Sequence, residues 1–221
     1  MIPITNKEFE QLAAYIKKLY GINLKNEKRT LVTGRLYNEL VNNGFDNYTD
    51  YINYICTDKS GKALSSLVNK ITTNHTYFMR ESEHFYYYKD VVLPYWLNNA
   101  INKDLRIWSA GCSSGEEPYT LAMIIDESLG KNKIWWDAKI LATDISSTVL
   151  EKAVKGCYEK DDLDKLSPTW RINYFQKADD NRLMVTDKIK KEVIFRRLNL
   201  MDDHFPFKQK FHVIFCRNVM I

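Results

Sequence analysis

Between residues 105 and 125 an apolar run, Leu105 to Trp108, gives way to Ser109-Ala110-Gly111-Cys112-Ser113-Ser114-Gly115, and Glu116-Glu117-Pro118 then opens a helix-like run from Tyr119 to Ile125. A strand that ends in small residues and feeds a helix commits this stretch to a β–loop–α unit. Gly111 and Gly115 carry no Cβ and tolerate positive φ, so the loop backbone can approach a ligand closely. The spacing is not the dinucleotide pattern G-x-G-x-x-G, and on two glycines alone an ordinary strand-to-helix turn stays open.

Three further apolar runs end in polar residues. Lys139 to Thr143 stops at Asp144, roughly 30 residues beyond the loop, where α/β nucleotide folds place an acid for ribose hydroxyls. Val193 to Leu198 stops at Asn199, and His212 to Cys216 stops at Arg217-Asn218. In an open parallel sheet the ligand crevice lies at the carboxyl ends of the strands, so four such endings together point to a site. Any one of these polar residues, taken singly, could equally be a helix cap or a turn former.

Ahead of these runs the pattern is helical. Thr5-Asn6-Lys7-Glu8 has the form of a capping box, and Phe9, Leu12, Ala13, Ile16 and Leu19 recur at helical spacing as far as Gly21. Leu31, Val32, Leu36 and Leu40 outline a second helix ending near Asn43-Gly44. Tyr48, Tyr51, Ile52 and Ile55 outline a third, and Leu64, Leu67 and Val68 a fourth. These stripes fit core packing and predict a small helical domain over residues 1–70. An α/β domain follows over 71–221, because strand and helix signals then alternate. Within it, about 161–191 reads as a small β insertion with a strand at Arg182 to Val185.

Composition narrows the class. The 221 residues are 45% hydrophobic and 27% charged, enough to build a core, and the net charge of +4 is too modest to indicate nucleic-acid binding. The start has no apolar signal segment and no run is long enough to span a bilayer, so a cytoplasmic protein is expected, with no direct membrane insertion. Cys56, Cys112, Cys157 and Cys216 contain no C-x-x-C, and the four histidines form no ligand motif, so neither disulfides nor a metal is expected. Lys25, Lys28, Arg29 and Arg35 cluster; such a cluster is either a solvated face or a docking surface for an acidic partner helix.

The runs Ile71 to Glu81 (ITTNHTYFMRE), Trp108 to Met123 (WSAGCSSGEEPYTLAM), Leu141 to Ser146 (LATDIS), Asn199-Leu200 and Phe215 to Ile221 (FCRNVMI) resemble, in order, those of the chemotaxis receptor methyltransferases, the CheR family. The resemblance covers nearly the whole chain. It implies an N-terminal helical domain and a Rossmann-like S-adenosylmethionine-dependent methyltransferase domain. The implied activity is methylation of glutamate side chains on the cytoplasmic helices of chemoreceptors, yielding glutamyl methyl esters and S-adenosylhomocysteine.

By the same resemblance Asn74, Thr76 and Arg80 contact the cofactor, with Arg80 also close to the reacting centre as the catalytic residue. Glu117 binds the cofactor beside Gly111, Asp144 takes the ribose hydroxyls, and Asn199, Leu200, Arg217 and Asn218 complete the wall. Other roles stay open on the residues alone: Asn74 and Thr76 as turn formers, Glu117 as a helix-start acid, Arg80 as a surface ion-pair partner. The family's β-subdomain grips a receptor-tail peptide in some members through a glycine-containing loop. Gln176 to Lys191 has no glycine, which argues against that docking here. The family pattern continues beyond R-N-V-M-I into Tyr-Phe, so the sequence reads as truncated, with strand order resembling 3-2-1-4 and the fourth strand at an exposed edge. That truncation leaves a non-catalytic module, binding cofactor or receptor, as the alternative to an enzyme.

Overall fold

The computed structural model describes residues 2–219, so Met220 and Ile221, the last residues of the FCRNVMI run, lie outside the described residues. Two compact units make up the chain. One holds the residues up to Thr73 together with Asn199–Phe205; the other holds Asn74–Leu198 and the residues from Pro206 onward.

The helical unit comprises α1 (Asn6–Tyr20), α2 (Arg29–Asn42), α3 (Tyr48–Thr57) and α4 (Lys62–Ile71). Helix α1 starts where the sequence signals it. The Thr5 hydroxyl accepts from the Glu8 N–H at 3.2 Å, and the Thr5 N–H donates to the Glu8 carboxylate at 2.8 Å, so two end donors are satisfied reciprocally. It stops at Gly21, whose φ of 68° lies in the left-handed region. A Cβ at that position would lie 2.7 Å from Met201 Sδ, so the glycine also admits the Asn199–Phe205 segment. The core joins Phe9, Leu12 and Ile16 of α1 to Val32, Leu36 and Leu40 of α2 and to Tyr48, Tyr51, Ile52 and Ile55 of α3. Leu67 and Ile71 of α4 complete it. Leu31, part of the apolar stripe in sequence, instead faces outward.

Two of the basic residues are internal fasteners. Arg29 donates to the Asn6 side chain and the Ile4 carbonyl, tying the start of α2 to the N-terminal segment. Arg35 Nη1 lies 3.0–3.3 Å from the carbonyls of Lys70, Ile71 and Thr72, the orphan acceptors at the end of α4. Lys25 and Lys28 are exposed.

The second unit opens with α5 (Ser82–Tyr87), a π-helical turn at Tyr88–Val92 and α6 (Leu93–Asn99). Strand β1 (Ile107–Ala110) leads into α7 (Glu116–Leu129), and β2 (Ile140–Asp144) into α8 (Ser147–Lys155). After β3 (Cys157–Glu159), α9 (Pro168–Tyr174), β4 (Phe175–Lys177), β5 (Arg182–Val185) and α10 (Asp187–Lys190) come β6 (Val193–Arg197) and β7 (Val213–Cys216). The main sheet is parallel throughout in the order β6-β2-β1-β7, the 3-2-1-4 order expected from the sequence. A separate antiparallel sheet has the order β3-β5-β4.

Register makes the sheet useful. Ala110 pairs with Thr143 on one side and Cys216 on the other, and Asp144 pairs with Arg197, so the strands end level with one another. The loops after β1, β2 and β7 therefore leave from one edge. Helix α7 is buried almost all round, and the Phe85 ring stacks on Phe215 of β7 with centroids 5.9 Å apart, packing the α5 segment onto that side of the sheet. In the described sheet β6 and β7 are the outer strands, and Ile214 on β7 is exposed.

The two roles open to Arg35 separate by stability. Arg35→Ala leaves the carbonyls at the end of α4 without their donor and is expected to lower unfolding free energy by ~1–3 kcal/mol in urea denaturation. Lys28→Ala, at an exposed position, should stay within about 0.5 kcal/mol of the parent.

Candidate active site

The loop after β1 is held open by the acid at the end of β2. Asp144 Oδ2 accepts from the Ser113 N–H at 2.8 Å and Oδ1 from the Ser146 N–H at 2.9 Å, while the Thr143 carbonyl accepts from both Gly111 and Cys112. Ser113 has φ 49°, a conformation unfavourable for a residue with a Cβ, and is fixed from both sides: its N–H by Asp144 and its hydroxyl by the Asn74 carbonyl at 3.0 Å. Gly115, at φ 98°, starts α7; a Cβ there would come within 3.0 Å of Ala153 Cβ and 3.1 Å of the Tyr158 hydroxyl. The loop thus combines left-handed backbone at Gly111, Ser113 and Gly115 with a buried carboxylate beneath it.

A second cluster joins the ends of β1 and β7 to the segment before α5. Glu117, in the first turn of α7, accepts from the Ser109 hydroxyl at 2.7 Å and from Arg217 Nη1 at 3.1 Å. The other terminal nitrogen of Arg217 donates to the Arg80 carbonyl and lies 3.2 Å from Glu81 Oε2, and its guanidinium stands 4.9 Å from the Phe85 ring centroid. Arg217 Nε is buried with no protein partner among the described residues. Asn218, at φ 55°, donates from Nδ2 to Glu81 Oε1 at 3.0 Å. The Arg80 guanidinium donates to the His75 carbonyl at 2.6 Å, and Thr76 is half-buried on the same segment.

Of the residues proposed from sequence, Asn74, Gly111 and Asp144 meet around the loop, and Arg80, Glu117, Arg217 and Asn218 share the second cluster. Asn199 and Leu200 belong to the helical unit, where Asn199 Nδ2 donates to the Leu19 carbonyl at 2.9 Å. Ser109, Ser113 and Glu81 were not singled out in sequence. Ser109 had a signal, a hydroxyl in a strand otherwise apolar; a left-handed serine or glutamate leaves none.

Burial dominates the titration of the acids. It pushes the Asp144 carboxyl above the usual range, opposed by the Ser146, Ser113 and Ile145 N–H groups. Burial likewise raises Glu117, opposed by the Ser109 hydroxyl and the Arg217 charge. Burial pushes Glu116, the preceding residue, up to about 7, opposed by a bond from its own backbone N–H and by the Ser114 hydroxyl at 2.9 Å. Burial also raises the Cys112 thiol well above its ordinary value, so it is not poised as a nucleophile.

A parallel sheet whose level strand ends carry a left-handed glycine loop, a buried carboxylate and a buried arginine–glutamate pair defines the Rossmann-like class of nucleotide-binding folds. Residues 74–221 match the family model described as the CheR methyltransferase SAM-binding domain, and residues 7–72 match the one described as the CheR methyltransferase all-alpha domain. The chain belongs to the CheR methyltransferase family. It is 45% identical, over its full length and 79% of the relative's, to the chemotaxis protein methyltransferase of Borreliella burgdorferi. It is 38% identical to the probable chemotaxis protein methyltransferase of Rhizobium etli, over 91% of this chain and 76% of that protein. Its identity to the chemotaxis protein methyltransferase of Escherichia coli is 32%, over the full chain and 75% of that protein. The chain is accordingly a chemotaxis methyltransferase with S-adenosylmethionine as methyl donor.

Glu116 supplies a pH test. Its folded pKa is raised, so its contribution to stability is complete below the unfolded value of 4.5 and is lost as pH rises through about 7. Glu116→Gln keeps an acceptor for Ser114 and removes the buried charge. The melting temperature of the variant relative to the parent should therefore climb between pH 5 and pH 8, by the equivalent of up to ~3 kcal/mol; a constant difference would show that the charge is not buried.

Proposed function

We propose that this enzyme esterifies glutamate side chains on the cytoplasmic helices of chemoreceptors, with residues 71–221 carrying the chemistry and residues 1–70 docking the receptor. The observation that carries this reading is the coupling, through Arg217, of Glu117 to the Arg80 segment at the mouth of a parallel sheet. A cytoplasmic setting goes with such a substrate, and no helix among the described residues is long and apolar enough to cross a membrane.

The donor set suits the cofactor. The two Asp144 oxygens accept from the N–H groups of Ser113, Ser146 and Ile145, and a carboxylate has about four lone-pair sites, so acceptor capacity is left for a ribose hydroxyl. The buried, unpaired Arg217 Nε is a donor suited to a carboxylate, and Glu117 is an acceptor suited to an ammonium, the two charges of the cofactor's amino-acid end. Once bound, S-adenosylmethionine supplies a sulfonium methyl open to in-line displacement. An acceptor glutamate, with a pKa near ~4.3, is already ionised at neutral pH and requires no general base. The protein's work is alignment and exclusion of water. Arg80 is assigned to the acceptor: a guanidinium anchored at one nitrogen by the His75 carbonyl can present its remaining donors to a carboxylate.

For docking, Lys25 and Lys28 are the exposed members of the four-residue basic cluster, whereas Arg29 and Arg35 are bonded to their own unit. A charge-steered contact with an acidic helix is the reading these two lysines support.

Two measurements test the reading. Asp144→Asn should weaken S-adenosylhomocysteine binding by about 10- to 150-fold in titration calorimetry, corresponding to ~1.5–3 kcal/mol; an unchanged affinity removes Asp144 from the site. Reversing Lys25 and Lys28 to Glu should reduce capture of receptor fragments, with a smaller effect at high salt and none on the cofactor. Capture indifferent to that reversal would leave the two lysines a solvated face.

A further inference from the structure

Glu81 follows the Arg80 segment and occupies the residue just before α5, where the short side chains of Ser, Thr, Asp or Asn would bond the first free N–H groups of the helix. It makes no such cap. Its carboxylate turns away from the helix, Oε1 accepting from Asn218 Nδ2 at 3.0 Å and Oε2 lying 3.2 Å from Arg217 Nη2. Its backbone is at φ 52°, ψ 57°, and Met79, two residues earlier, is also left-handed at φ 59°. Two such residues are unfavourable by ~1–2 kcal/mol each and persist only where surrounding contacts fix them.

Fold stability does not account for this arrangement. The Glu81 side chain is 42% exposed, and an ion pair in that setting contributes little to folding. The carboxylate does, however, reach Arg217 and Asn218, the two residues directly after β7, and it touches each through a different oxygen. Arg217 is bound a second time to this turn through the Arg80 carbonyl. The ordinary pKa of Glu81 is lowered by these two partners, with His84 adding a smaller effect from 3.4 Å, so the carboxylate is ionised and acts as an acceptor only. On its open side lies a cleft of about 600 Å³, lined by Tyr77, Met79, His84, Tyr86 and Lys165 as well as Glu81.

We infer that Glu81 is a positioning residue of the cofactor pocket: by dividing its two oxygens between Asn218 and Arg217 it fixes both side chains in the orientation the cofactor meets. The inference rests on the reading of Arg217 and Asn218 as cofactor contacts. Glu81 itself faces the cleft and touches neither reactant. Replacing it removes a shared acceptor, so Asn218 can rotate and Arg217 keeps only Glu117 and the Arg80 carbonyl.

The test is a double-mutant cycle in S-adenosylhomocysteine affinity, on the full chain, with Glu81→Ala, Asn218→Ala and the pair, each checked by thermal melting. Glu81→Ala should weaken binding about 10-fold, the size of one charge-assisted hydrogen bond. Glu81→Gln should fall between, because its amide keeps one acceptor and turns an N–H₂ toward the other donor. Because one of its two routes runs through Asn218, the Glu81 change should cost less once Asn218 is gone, the remainder passing through Arg217, so the double variant should bind better than the product of the two single losses. Losses that multiply overturn the inference, as does wild-type affinity in Glu81→Ala beside a weakened Asn218→Ala. Wild-type affinity in Asn218→Ala is a different result: it removes Asn218 from the pocket and the inference with it. A Glu81 change that raises the Michaelis constant for the receptor and leaves cofactor affinity alone would move Glu81 to the acceptor side. Should Glu81→Ala fail to fold, Glu81→Gln carries the same cycle.

Discussion

Arg217 leaves the end of β7 and enters a largely enclosed space, where its donors divide among Glu117 of the first turn of α7, the Arg80 carbonyl and Glu81. Three parts of the chain far apart in sequence are joined by this one guanidinium. The geometry depends on its planar fork, which a lysine could not reproduce. Breaking a pair of this kind leaves an uncompensated buried charge, typically at a cost of ~3–5 kcal/mol. The partners also answer each other electrostatically: burial drives Glu117 toward its neutral form, and Arg217 with the Ser109 hydroxyl draws it back.

Asp144 plays the corresponding part for the loop. Its carboxylate accepts from the N–H groups of Ser113 and Ser146, which lie on different loops, and so sets the exit from β1 against the exit from β2. That grip sustains the left-handed Ser113, and the left-handed Gly111 and Gly115 on either side of it admit Val219 and the Ala153–Tyr158 pair close to the loop backbone. The acid proposed for the ribose hydroxyls is therefore also the one that ties the two loops together.

In the helical unit, charge and function separate by burial. Four basic residues cluster in sequence, and helical periodicity cannot tell which are spent inside. Arg29 fastens the N-terminal segment, Arg35 takes the free carbonyls at the end of α4, and Lys25 and Lys28 are exposed. Guanidinium groups reach several acceptors at once, which suits them to closing helix ends; compact, strongly hydrated ammonium groups stay in water.

The elements and their order were legible from local patterns along the chain. Thr5 and Glu8 announce α1, Gly21 ends it, and the runs ending at Asp144 and Arg217 are the strands β2 and β7. The sequence also set the sheet's identity, because small residues after β1 and polar residues after its neighbours are local properties that a parallel sheet aligns. Tertiary structure alone decided which polar groups are partners. Ser109 and Glu117 meet through helical return, Arg217 and Glu81 across more than a hundred residues, and Leu31 turns outward although it lies in an apolar stripe. Left-handed backbone at Ser113 and Glu81 is equally invisible beforehand, since nothing in those side chains favours it and only contacts made on folding hold it there, whereas Asn218 is of a residue type enriched in that region.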